Sequence, residues 1–150
     1  MSQSKRARKT VGKSIKTTQK TKDPTEDCLP IWTFTDIDKS GKFAFDICRK
    51  DFDLKLVFSK MIDFSNMKWS DIRKHTHDWS NKSKHHFLEY DSLSKDAKDR
   101  IEVKQLNDDL DSIFSFALNN KIRIIGIRRG VMFCVIWYDP EHEFCPSAKK

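Results

Sequence analysis

The most constraining feature of this chain is its last third. There, three runs rich in β-branched and aromatic residues, Ile113 to Leu118, Ile122 to Ile127 and Val131 to Tyr138, follow one another across two short breaks. Asn119-Asn120 and Arg128-Arg129-Gly130 have the size and residue types of hairpin turns. The three runs therefore predict an antiparallel meander. The last run is apolar on both faces, with Val131, Phe133, Val135 and Trp137 alternating with Met132, Cys134, Ile136 and Tyr138. Such a strand belongs inside a sheet, covered on both sides. Asp139-Pro140 ends it, because proline cannot donate to a ladder.

The preceding sequence must cover that sheet. Trp32 and Phe34, then Phe43, Phe45 and Ile47, alternate around the turn signal Lys39-Ser40-Gly41 and predict a β-hairpin. Leu54, Val57, Phe58, Met61 and Ile62 recur at helical spacing and predict one buried helix face over roughly residues 50–64. Ser65-Asn66 breaks that helix, and Trp69 with Ile72 marks a short second one near 68–74. Residues 75–84 are polar and read as a loop, followed by a short extended piece around 86–90. Ser94 is a good N-cap for a third helix running to about Gln105. The expected fold is α+β: an antiparallel sheet with a C-terminal three-strand meander, an N-terminal β-hairpin, and two or three helices packed on it.

Charge divides the chain in two. The formal net charge is +7 over 150 residues, yet Met1 to Lys22 alone carries eight Lys or Arg and no acid. The remainder holds 21 basic and 22 acidic residues. Residues 1–28 read as a disordered basic tail, because they bury too little apolar surface to offset the entropy of ordering. Residues 29–147 read as a single domain. Lys5, Arg6, Arg8, Lys9 and Lys13 of the tail are candidate phosphate contacts for nucleic acid, together with Arg129. There is no long apolar window and no apolar stretch after the basic N-terminus, so neither a membrane partner nor a secretory signal is expected and the chain is read as cytoplasmic. Cys28, Cys48, Cys134 and Cys145 form no C-x-x-C pair and are read as reduced thiols.

No phosphate-cradling or dinucleotide motif is present, and only four glycines are available to build one, so no cofactor is expected. His75, His77, His85, His86 and His142 include no recognised metal spacing, and no metal site is assigned. What remains is Arg123, Arg128 and Arg129 of the meander, with the acid–histidine turn Asp139-Pro140-Glu141-His142-Glu143 beyond it. RNA cleavage through the 2′-hydroxyl uses such a set: a base for the 2′ proton, a cation for the charged phosphorane, and an acid for the leaving 5′ oxygen. On this reading His142, Arg123, Arg128 and Glu141 are the candidate catalytic residues. The same residues also admit a non-enzymatic reading, as a module binding nucleic acid or protein.

The stretch from Ile122 to Arg128, the turn, and Phe133 through His142 resembles the C-terminal half of the RelE/ParE toxin superfamily, nearest in style to its YoeB and HigB branches. Residues Trp137 to Ser147 also look like an uncharacterised family of bacterial genomes and mobile elements. The superfamily resemblance covers about the last 40 residues. It implies a RelE-like fold, mRNA cleavage dependent on the ribosome, and a cognate antitoxin. By position, Arg123 matches the strand arginine and His142 the late histidine. Glu143 and Phe144 stand where a late Tyr is often found.

Overall fold

The computed structural model of the protein describes residues 23–77 and 82–146. The basic tail to Lys22, with its candidate contacts Lys5, Arg6, Arg8, Lys9 and Lys13, lies outside the described residues. The chain is α+β. Strand β1 (Ile31–Thr33) is followed by helices α1 (Leu54–Ser65) and α2 (Trp69–Lys74), the two-residue strand β2 (His86–Phe87), and helix α3 (Lys95–Val103). The meander β3 (Ile113–Ala117), β4 (Arg123–Arg129) and β5 (Met132–Asp139) completes it. The five strands form one mixed sheet in the order β1-β5-β4-β3-β2. Only β1 runs parallel to its neighbour, pairing Ile31–Thr33 with Met132–Cys134, whereas the other pairs are antiparallel. Among the described residues, no helix is long and apolar enough to cross a membrane.

The meander forms where alternation and turn chemistry put it. Asn119 Oδ1 accepts the amides of Lys121 and Ile122 at 2.8 and 2.7 Å and so closes the β3–β4 turn. Gly130, at φ +63°, supplies the left-handed residue of the β4–β5 turn. One irregularity matters. Ile125 pairs with Trp137 and Gly126 with Val135, so Ile136 is an extra residue in β5. A Cβ at position 126 would lie 2.0 Å from the Cys134 carbonyl oxygen, so only glycine permits this approach. The bulge also corrects the simple face count. Trp137 packs with Cys134 and Ile136 on the α3 side, and Tyr138 with Phe133 and Val135 on the α1 side.

The sheet is thus covered on both faces. Ala97 and Ile101 of α3, with Phe43 and Phe144, close one. Phe64 of α1 and Trp69 and Ile72 of α2 close the other, against Phe114, Phe116 and Phe133. Each helix start has a local cause. Asp53 accepts Leu56 N at 3.0 Å and fixes the first turn of α1, a few residues later than spacing alone placed it. Ser94 caps α3 through Ala97 N at 3.2 Å, as expected. On the α3 side Trp137 Nε1 donates to buried Asp38 at 2.9 Å, and Arg100 grips the same carboxylate with two bonds of 2.8 and 2.9 Å.

Three expectations are corrected. The N-terminal β-hairpin is absent. Only Ile31–Thr33 is strand, its partner is the distant β5, and Phe43 to Ile47 cross the sheet end with a single bridge from Ala44 to Trp137. The domain does not begin at residue 29. Asp23 caps a 3₁₀ turn over Pro24–Asp27, and Glu26 reaches Arg128 at 2.8 Å. The stripe on α1 is not one buried face. Val57 is buried, but Leu54, Phe58 and Ile62 are exposed, because the helix turns Phe64 into the core instead.

Candidate functional site

Arg123 opens β4 directly across from Asp139, the last residue of β5. Its guanidinium donates to the carbonyls of Asn119 at 2.8 Å and Ile122 at 3.2 Å. Burial lowers its pKa, against the opposing pull of Asp139. Asp139 is fully buried, and its oxygens accept the backbone amides of Glu143 at 2.9 Å and Phe144 at 2.8 Å. Burial raises the Asp139 pKa even against those bonds and Arg123. The carboxylate therefore shapes the loop beyond β5, and Arg123 directs its positive field past it.

That field falls on histidines. His142 sits in the shaped loop at φ +58°, a left-handed conformation that histidine tolerates better than most residues. It is half-buried. Burial lowers its pKa, and Arg123, His86 and His77 add to the shift in that order. His86, on β2, is lowered by burial and by Arg123, while a bond to Ser83 acts the other way. Its Nδ1 lies 3.1 Å from the Ser83 carbonyl oxygen, which can only accept, so Nδ1 carries the proton and Nε2 is the free acceptor. The charge of one buried cation thus bears on two imidazoles.

His85 takes the other side of this edge strand. Its ring meets Phe64 of α1 edge-on, with centroids 4.9 Å apart. Nδ1 accepts the amide of Ala117 at 3.1 Å, so Nε2 carries the proton and donates to His75 Nδ1 at 3.4 Å. His75 is then left with its own Nε2–H pointing outward in the neutral form. Burial first, then the neighbouring His75, Lys84, His86 and Arg123, push the His85 pKa down to about 3. A small cleft of about 80 Å³ lies beside this pair, with Lys60, Lys84, His75, His77, Asn119 and Asn120 around its rim and no carboxylate in its lining. Its scale is that of a phosphate rather than of a nucleobase.

The structure therefore brings Arg123 and His142 together and separates the other predicted residues from them. Arg128 lies about 17 Å further along β4, at about 3.4 Å per residue. It is buried there, bonded to Glu26, Gly130 and Thr25, with its guanidinium 4.0 Å from the Trp69 ring centroid. It cannot serve the same reaction and is removed from the candidate site. Glu141 is paired with Lys121 at 3.0 Å on the surface, and Arg129 with Asp109 at 3.2 Å. Cys145 points away, toward the Ser92 carbonyl. Among the described residues no three His, Cys, Asp or Glu side chains form a metal-binding group.

The reading from sequence missed His86 and His85 as groups that feel Arg123, and the cleft beside His75 and His85 with Lys60 and Lys84 at its rim. The density of histidine between 75 and 86 was the available signal. What joins it to His142 is tertiary structure: in the sheet order β5 adjoins the strand of Arg123 on one side, and β2 lies beyond β3 on the other. Comparison with protein-family models, with curated proteins and with solved structures finds no match to this chain.

Proposed function

We propose that this end of the sheet is the acid–base site of a RelE-like endoribonuclease acting on RNA. One observation carries the reading: His142 and His86, far apart in sequence, both feel the charge of buried Arg123. Neutral His142 takes the 2′ proton, and the 2′ oxygen attacks phosphorus. The bond to the 5′ oxygen breaks, and that oxygen takes its proton from Nε2 of the protonated fraction of His86, a fraction that burial and Arg123 keep small near pH 7. The Arg123 field favours the extra negative charge of the phosphorane, and the cleft with Lys60 and Lys84, on the His85 side of the edge strand, takes a phosphate further along the RNA. Arg128 and Glu141 have no part in this scheme. The ribosome and an antitoxin belong to it through the resemblance of the C-terminal strands.

The test is incubation of the full chain with mRNA, free and on translating ribosomes, with mapping of the ends. Fragments with 2′,3′-cyclic phosphate and 5′-hydroxyl ends are expected. His142→Asn and His86→Asn should each slow their formation by about 10²- to 10⁴-fold, the usual weight of a positioned acid or base. Undiminished cleavage by both folded variants would overturn the reading. A second reading has its own support: Arg123 is only 8% exposed and bonds backbone carbonyls, so it acts through its field rather than by contact. A non-enzymatic RNA-binding module would show salt-dependent association and no new ends.

A further inference from the structure

Helix α1 leaves an apolar ridge and an apolar groove side by side. Leu54, Phe58 and Ile62, at i, i+4 and i+8, form the ridge and are 53%, 64% and 49% exposed. Next to it a groove of about 420 Å³ runs between α1 and the segment bearing Phe34, Phe45 and Ile47. Phe34 and Ile47 are themselves 44% and 60% exposed. With side chains of this size, these five residues present on the order of 500 Å² of apolar surface. Monomeric proteins rarely expose a contiguous apolar patch much larger than this. Two copies would bury about 1,000 Å² between them, the lower bound of a specific interface.

We infer that this face binds a second copy of the chain, with the two α1 helices antiparallel about a two-fold axis. A ridge beside a groove is self-complementary under such an axis, since each copy's Phe58 enters the other's groove. Charge supports this occupant. The polar flank next to the ridge is Lys55, Ser59 and Asp63, also at i, i+4 and i+8. Lys55 and Asp63 are exposed, and neither side chain has an intrachain ion-pair partner among the described residues. When two copies of one helix pack antiparallel across a two-fold axis, the same flank of each faces the other. Lys55 of one copy then meets Asp63 of its partner, twice, with Ser59 near the axis. The chain's own basic tail does not suit the groove, because Val11 and Ile15 are its only branched aliphatic residues.

Analytical ultracentrifugation of the full chain tests this, across about 1–200 μM. A monomer–dimer equilibrium with a dissociation constant in the micromolar range is expected. Phe58→Glu should weaken it at least 100-fold, with circular dichroism and the thermal melt unchanged because the side chain is exposed. Lys55→Asp and Asp63→Lys should each weaken it several-fold, and the double variant should regain wild-type association. That rescue distinguishes self-pairing from the docking of a foreign apolar helix. A chain that stays monomeric throughout, or a dimer that is indifferent to Phe58→Glu or not rescued by the double swap, would overturn the proposal.

Discussion

Arg123 and Arg128 stand at the two ends of one strand, both nearly buried, and the fold treats them in opposite ways. Arg128 meets a carboxylate at 2.8 Å and an aromatic face at 4.0 Å, so its charge is neutralised where it sits. Arg123 donates to neutral carbonyls, and the nearby carboxylate of Asp139 is occupied by backbone amides. The chain thus keeps one cation for folding and leaves the field of the other open toward imidazoles. A buried arginine is informative about function only once its acceptors are known. In the sequence the two residues looked alike.

The first way to break the comparison is to remove the committed charge. Arg128→Met keeps apolar packing on Trp69 but removes the closer of two cations from Glu26, whose side chain is 16% exposed and keeps Arg73 at 3.4 Å. Breaking a buried pair from one side costs about 3–5 kcal/mol, and the surviving Arg73 contact puts the expected loss at the low end of that range. The urea midpoint should fall accordingly, while RNA cleavage per folded molecule stays at the wild-type level. A midpoint equal to wild type would mean that the pair with Glu26 contributes nothing.

Acid probes the other end. The folded pKa of His85 is about 3, below the ordinary value of 6.5, so the unfolded chain binds a proton that the folded chain refuses. Stability from this group is therefore fully present above pH 6.5 and falls as the pH drops toward 3. At pH 4 the loss is about 3 kcal/mol. His85→Gln retains an acceptor for Ala117 N but does not titrate, so its stability should be flatter over that window. Chemical denaturation at pH 7 and pH 4 measures the difference, and equal slopes for both proteins would place the acid sensitivity elsewhere.

How much of this was legible in the sequence differs by element. The meander was, because alternation and turn residues agree there at every position. So were α2, α3 and the Ser94 cap, whose signals are local. The N-terminal hairpin was not. Trp32, Phe34, Phe43, Phe45 and Ile47 have strand periodicity, but Phe43 fills the core against Phe144 and Phe45 stacks on Phe52, without a ladder. The true partner of β1 lies 101 positions away, beyond any local window. The bulge at Ile136 was also hidden, because Gly126 signals a close approach without saying where the extra residue goes. It moves Trp137 to the face where Asp38 waits. For the candidate site, Arg123 and His142 could be paired from sequence because they flank one hairpin. His86 could not, because tertiary structure alone brings it under the charge of Arg123.

The smallest stability effect is expected at His142, where the largest loss of cleavage is expected. The loop around this residue is held by Asp139, through the amides of Glu143 and Phe144, and not by the imidazole. Its backbone is left-handed, so an alanine there would add strain unrelated to chemistry. Asparagine tolerates that conformation and removes the titrating ring. His142→Asn should therefore change the unfolding free energy by no more than about 0.5 kcal/mol, as for other substitutions outside the core. Cleavage should fall by orders of magnitude. His142→Gly separates the two contributions further, since it relieves the backbone entirely. If both variants fold as wild type and cleave as wild type, His142 is a loop residue and the Arg123 end is a binding surface. If both fold and neither cleaves, the contrast between the two arginines is one of function as well as of structure.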